Sequence, residues 1–196
     1  MPGTESSALH RAVTELERSV DDAALGAVIE RWRSPLRVAV AGRPGAGKSR
    51  VVTALDLPGT AEVHGVDALD LPRPVLDHDV LALVVARTVT AADLEVVAAR
   101  SSGFETLVVL GRTDLPIDAD AVAAALPAGT TVIGADDVDT LARVWATAVS
   151  HAANRRDIDL LVAMEDMAAR RPHARSSVET FLRAPAAAHV RRGARA

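Results

Sequence analysis

The chain has 196 residues, of which 49% are apolar and 2% are aromatic, and its formal net charge is −4. This length suffices for one domain with an aliphatic core, and the absence of cysteine excludes disulfide frameworks and thiolate metal sites. Because few aromatic side chains are available for stacking, nucleic acid is not expected as a partner. With no signal peptide or membrane-spanning apolar run in the sequence, a cytoplasmic location is expected.

Residues 1–35 are predicted to form a helical extension. Four apolar residues recur at the spacing of an amphipathic helix, namely Leu9, Val13, Leu16 and Val20. A second short helix is predicted from Asp21 to Trp32, and Pro35 is expected to end it.

Residues 36–150 are predicted to form an α/β domain in which short apolar strands alternate with helices. Strand-like runs lie at 36–41, 66–70, 80–85, 106–110 and 131–133. Helical stretches lie at 48–55, 91–100, 119–125 and 138–150. Near-continuous apolar strands that alternate with helices indicate a parallel sheet covered on both faces. We therefore predict a three-layer fold with a mostly parallel sheet.

Residues 151–196 are predicted to form a C-terminal helical extension, with one helix through 158–168 and a short last helix at 178–182. Seven arginines and a single acid, Glu179, fall in residues 170–196. Two interpretations of this basic segment are open. It is either a solvated tail or a surface that contacts an acidic partner.

A glycine-rich segment between the first strand and its helix carries the strongest chemical signal. It fits the phosphate-loop pattern G-x-x-x-x-G-K-[ST] with the residues Gly42, Arg43, Pro44, Gly45, Ala46, Gly47, Lys48 and Ser49. The glycines allow backbone N–H groups to turn towards an anion. Lys48, the only lysine in the chain, offers a compact charge to the phosphates, and the Ser49 hydroxyl suits Mg²⁺. The segment predicts binding of a nucleoside triphosphate.

The loop and the helix that continues from Arg50 resemble bacterial dynamin-like and Era-like GTPases of the TRAFAC class. The resemblance covers about residues 36–150. It implies a P-loop NTPase fold that binds GTP or GDP with Mg²⁺, with Arg50 among the nucleotide-binding residues. It also implies slow hydrolysis of GTP and a role as a nucleotide-dependent switch or interaction module with a protein partner.

The guanine-reading motif of that class has a candidate in Gly111, Arg112 and Asp114, directly after the fourth strand-like run. Asp114 is expected to accept hydrogen bonds from N1–H and the amino group of guanine, a donor pair that adenine lacks. Arg112 is expected to lay its aliphatic stem over the base. Gly111 stands where the class has asparagine. The motif that closes over the base is assigned to Gly134 and Ala135, mainly through the Ala135 backbone N–H.

The resemblance also implies a metal-facing aspartate at the end of the second strand-like run. Asp70 has this position and is assigned to Mg²⁺ together with Ser49 and Thr60. Lys48, Ser49 and Asp70 form the predicted catalytic set. Arg73 stands where the class has the glycine that meets the γ-phosphate, which favours slow hydrolysis.

A second match to the letters D-x-x-G runs from Asp56 to Gly59. It comes directly after the helix of the phosphate loop, too early for the metal-facing motif. We interpret it as a turn that ends the helix.

Two alternatives to a GTP-binding switch remain open. One is an ATP-using ATPase or kinase in which Asp70 is the metal-binding carboxylate. The other is a pseudo-GTPase that holds nucleotide for structure and docks partners through its terminal helices, an interpretation that Arg73 favours.

Overall fold

The computed structural model describes residues 3–64, 66–67, 74–100, 104–112, 114 and 118–194. The chain forms two compact units: Leu36–Ala152, and a second unit made of Met1–Pro35 with Ala153–Ala196. Among the described residues, no helix has both the length and the apolar character needed to cross a membrane.

The described residues form eight α-helices and four β-strands. The helices are α1 (Gly3–Ser19), α2 (Ala23–Arg33), α3 (Lys48–Ala54), α4 (Ala91–Arg100), α5 (Ala119–Ala125), α6 (Val138–Arg170), α7 (Arg175–Arg183) and α8 (Pro185–Gly193). The strands are β1 (Val38–Gly42), β2 (Val80–Val85), β3 (Glu105–Leu110) and β4 (Thr131–Gly134).

The four strands form one parallel sheet in the order β1-β2-β3-β4. Val40 and Val109 belong to a core that includes residues of α3 and α6, whereas Leu83 and Val108 belong to a core that includes residues of α4 and α5. Because successive strand residues point to opposite faces and both faces are covered, the strands are apolar almost throughout. The predicted three-layer α/β fold is confirmed.

The helices after the sheet differ from the prediction in two respects. The sequence predicts separate helices at 138–150 and 158–168, but the structure has the single helix α6. No glycine or proline interrupts residues 150–158, and alanine and arginine there favour helix continuation. The last helix, α8, was not predicted. It begins at Pro185, which suits a first helical turn because its missing N–H would have no intrahelical partner.

The terminal helices share a core of their own. Leu9 and Val13 of α1, Ile29 of α2, Met164 of α6 and Phe181 of α7 are all buried in it. The amphipathic stripe predicted for the first helix therefore faces this core, as expected. The N- and C-terminal extensions form one unit rather than two independent pieces.

Two of the C-terminal arginines donate hydrogen bonds to backbone carbonyls near the ends of helices. Arg175 donates to the carbonyl of Ala168 at 2.9 Å, near the end of α6. Arg191 donates to the carbonyl of Leu182 at 2.7 Å and to the carboxylate of Glu165 at 2.6 Å. The last carbonyls of a helix have no partner within the helix, and these arginines supply one. Part of the basic charge of the C-terminal segment therefore has a structural role.

Candidate functional site

The glycine-rich segment lies at the carboxyl end of β1, between Gly42 and the start of α3 at Lys48. Gly47 precedes the helix in the left-handed region, with φ of 100°. Most residues avoid this region because of their Cβ atom, so glycine is required here. Ligands of open parallel sheets bind at this edge.

The loop packs directly on the segment that follows β3. A Cβ atom on Gly47 would lie 2.7 Å from the carbonyl oxygen of Gly111. A Cβ atom on Gly111 would overlap the carbonyl oxygen of Ala46 and would lie 2.5 Å from Val84 Cγ1. The backbone of the loop therefore contacts the backbone at Gly111. In the GTPase class that the sequence resembles, the corresponding residue is asparagine. This close approach explains why position 111 is glycine.

Lys48 is the buried cation of the loop. Its side chain is only 6% exposed, and its Nζ donates to the carbonyl oxygen of Arg43 at 3.3 Å. The ammonium thus lies against the loop backbone. Burial of a lysine is costly unless it is paired.

Glu62 supplies that pairing, and sequence analysis did not identify it. Its Oε1 lies 3.6 Å from Lys48 Nζ, and its Oε2 accepts a hydrogen bond from Ser49 Oγ at 2.8 Å. The backbone is held beside β1 by an isolated parallel bridge between Val40 and Glu62, with Val63 N donating to Val40 O at 2.8 Å. The only sequence signal was one acid between two apolar residues, too short to predict a strand.

The strand predicted at 66–70 is wrong in its described part. Val66 and Asp67 form a turn, and Asp67 has φ of 58°. Val66 is still buried beside β1 and β2, which accounts for its apolar character. Asp70 and Arg73, assigned to the metal-facing motif, lie outside the described residues.

Two further predictions concern the segment between α3 and Glu62. Leu57 N donates to the Val52 carbonyl and Asp56 N to that of Thr53, and Asp56 has φ of 50°. This pattern is the Schellman ending of a helix, so the interpretation of 56–59 as a turn is confirmed. Thr60, assigned to Mg²⁺, lies exposed in the 3-10 turn Gly59–Ala61.

Arg43 belongs to the loop, but its guanidinium contacts the segment after β2. Nη2 donates to the Thr88 carbonyl at 3.2 Å, and Nε lies 3.7 Å from Asp93 Oδ2. The same Asp93 oxygen accepts from Thr90 N and Oγ1, both at 2.9 Å. Arg43 therefore holds the loop to the start of α4.

The predicted base-reading residues form a closed pair. Arg112 Nε and Nη2 donate to the two carboxylate oxygens of Asp114, each at 2.8 Å. This bidentate pair lowers the pKa of Asp114 and raises the pKa of Arg112, and Arg50 adds a weaker attraction on Asp114. Asp114 is thus held ionised, as a guanine acceptor must be, but Arg112 occupies both of its oxygens.

Of the two predicted base-closing residues, only Ala135 follows β4. Gly134 is the last residue of the strand and pairs with Leu110. The Ala135 N–H donates to the Leu110 carbonyl at 2.9 Å, and Ala135 is only 1% exposed. This amide serves the sheet, which corrects its assignment to the base.

Oxygen ligands are the feature of this site that suits a magnesium ion. The Ser49 hydroxyl and the Glu62 carboxylate lie together, and Mg²⁺ prefers hard oxygen donors with water and phosphate completing its shell. Among the residues that the structure describes, no three histidine, aspartate or glutamate side chains cluster in a way that could hold a metal by themselves. A metal at Ser49 would therefore take its remaining ligands from outside this described set, such as water or a bound phosphate.

No protein-family model matches the chain, and no curated protein sequence is significantly similar to it. The resemblance to GTPases thus depends on the motifs quoted above.

Proposed function

We propose that the unit Leu36–Ala152 binds a nucleoside triphosphate as its magnesium complex, with GTP as the preferred nucleotide. The position of Lys48 and Ser49 where the loop meets the helix of a strand–loop–helix segment is the observation that carries this proposal. A buried ammonium, a hydroxyl and a glycine-rich turn at one edge of a parallel sheet suit an anionic ligand. The proposal includes membership in the TRAFAC class of P-loop GTPases.

In this proposal the loop backbone, Lys48 and Ser49 have distinct roles. The backbone N–H groups of residues 42–49 and the Lys48 ammonium bind the phosphates. Ser49 holds Mg²⁺, with Thr60 and Asp70 as further candidates on the metal side. The metal neutralises charge on the phosphate oxygens when it is bound. Lys48 stabilises the negative charge that develops as water attacks the γ-phosphate.

Guanine preference would come from Asp114. Its ionised carboxylate can accept from two adjacent N–H groups, as the contact with Arg112 demonstrates. Guanine offers such a donor pair, and adenine does not. Binding of GTP then requires that Arg112 leave the carboxylate and stack over the base.

A second candidate is a nucleotide-binding module without guanine preference, such as a pseudo-GTPase, or an ATP-binding protein. It is favoured by the fact that the groups predicted to contact the base already have partners within the protein. Arg112 donates to Asp114, and the Ala135 N–H donates to a carbonyl of the sheet. Such a module would act through a protein partner.

Titration with fluorescent GTP and ATP analogues in Mg²⁺ separates these functions. We expect tighter binding of GTP, by about tenfold or more for two charge-assisted hydrogen bonds. Lys48→Ala should abolish binding of both, whereas Thr53→Ala, an exposed position on the same helix, should leave it unchanged. Equal affinities would favour the second candidate. No binding at millimolar concentration would refute the proposal.

Release of phosphate distinguishes a slow enzyme from a binding module. If the chain hydrolyses GTP, steady release at micromolar protein should disappear in Lys48→Ala and persist in Thr53→Ala. Nucleotide binding without release would indicate the module.

A further inference from the structure

Glu62 contacts two side chains of the predicted phosphate-binding loop. One carboxylate oxygen accepts from Ser49 Oγ at 2.8 Å, and the other lies 3.6 Å from Lys48 Nζ. The side chains of Lys48 and Glu62 are 6% and 17% exposed, so their contact is made largely out of solvent, whereas Ser49 is an exposed residue. A single carboxylate therefore engages the two groups that the proposed function gives to phosphate and metal.

Two other basic side chains of this region, Arg43 and His64, offset Glu62 less than Lys48 does. The Arg43 guanidinium contacts Thr88 and Asp93, and His64, whose Nδ1 lies 3.9 Å from Glu62 Oε1, is 72% exposed. The charge of the Lys48 ammonium is thus balanced by Glu62 rather than left for an incoming anion. Within the described part of the chain, the loop has a paired cation instead of a free one.

A metal-free triphosphate and its magnesium complex meet this carboxylate differently. The metal-free form brings only negative charge, which the carboxylate repels at close range and low solvent exposure. The magnesium complex brings a cation to Ser49, beside the same carboxylate. Because Mg²⁺ prefers hard oxygen ligands, Glu62 then attracts the complex, directly or through a metal-bound water.

Building on the proposed nucleotide binding, we propose that Glu62 is a specificity-determining residue that makes the site select magnesium-complexed triphosphate over metal-free triphosphate. Movement of the carboxylate from Lys48 to the metal side frees the ammonium for the phosphates. Metal binding and nucleotide binding are coupled through this one side chain, and the coupling is reciprocal.

The test compares nucleotide affinity with and without metal. The dissociation constant of a fluorescent GTP analogue is measured in Mg²⁺ and in EDTA for the native chain and Glu62→Gln. Glutamine keeps the size of the side chain and an acceptor for Ser49 but removes the charge. Glu95→Gln, which removes one charge from an exposed position of α4, is the matched control.

We expect the native chain and Glu95→Gln to bind at least about tenfold more tightly in Mg²⁺ than in EDTA. In Glu62→Gln, affinity in EDTA should rise and affinity in Mg²⁺ should fall, so that the ratio drops by about tenfold. If Glu62→Gln does not fold, Glu62→Ala is measured instead, and the same loss of the ratio is expected.

Two results would overturn the inference while leaving the proposed function intact. One is a native chain that binds GTP equally well in both solutions. The other is a Glu62 variant whose ratio equals that of Glu95→Gln. Absence of GTP binding by the native chain in both solutions would instead refute the proposed function, and the role of Glu62 with it.

Discussion

Gly111→Ala is the most direct test of how the phosphate loop is held. The added methyl group would overlap the carbonyl oxygen of Ala46 and lie 2.5 Å from Val84 Cγ1. Neither obstacle is the end of a flexible side chain, since one is loop backbone and the other belongs to a buried strand residue. The loop must therefore move away from the segment that follows β3.

The expected cost follows from the type of clash. Inserting a methyl group into a well-packed core typically costs about 1–3 kcal/mol. Because backbone has to move here, we expect a loss of about 2–3 kcal/mol in the free energy of unfolding of the unit Leu36–Ala152. If the proposed function holds, displacement of Ala46 should also weaken nucleotide binding, because the loop amides would no longer converge on the phosphates.

Urea unfolding in a Trp32→Phe background measures this cost. The chain has two tryptophans, and Trp145 then reports on the unit that contains the loop. Gly59→Ala is the control, since a Cβ atom there would meet nothing within 4 Å. Its stability should stay within about 1 kcal/mol of the native value. A Gly111→Ala chain as stable as the Gly59→Ala chain would refute the close approach of loop and segment.

Three further predictions concern single side chains. Arg112→Ala should raise the ratio of GTP to ATP affinity about threefold, because it removes the competitor for Asp114, while loss of stacking affects both nucleotides alike. An unchanged ratio in competition titrations would exclude this competition. The hydrogen bond from Leu25 N–H lowers the pKa of Asp22. The ionised Asp22 should therefore contribute fully to the free energy of unfolding above pH 3.8, and this contribution should be lost as the pH falls below that value. Asp22→Asn keeps a capping side chain, and acid unfolding curves of this variant should lack that component. Burial lowers the pKa of Arg100 to about 10, and its guanidinium donates to backbone carbonyls before β2. Arg100→Leu should therefore cost about 3 kcal/mol in thermal or urea unfolding, and a neutral effect would contradict this role.

The secondary structure of the unit Leu36–Ala152 was largely predictable from the sequence. The helices at 91–100 and 119–125 have the predicted bounds, and three of the four strands both begin and end within one residue of prediction. Apolar runs covered on both faces and strong helix formers give clear local signals in these segments. The missed helix α8 has no such apolar run, and its stability comes from contacts with the terminal core.

The site was predictable only in the part that is contiguous in the sequence. The glycines, lysine and serine of residues 42–49 form a recognisable pattern because they are neighbours in one short loop. Glu62 belongs to a different segment, and it reaches Ser49 only because a single bridge places it beside β1. A local sequence pattern cannot predict a contact between two segments that are distant in the chain.

The sequence by itself determined the α/β alternation, the phosphate-loop motif and the amphipathic stripe of α1, because each depends on neighbours along the chain. Only the tertiary structure decided that Glu62 pairs with Lys48, that Gly111 lies against Ala46, and that the Ala135 amide belongs to the sheet. These contacts join segments distant in sequence, and their geometry is set by the packing of parallel strands and loops rather than by the preferences of any one residue.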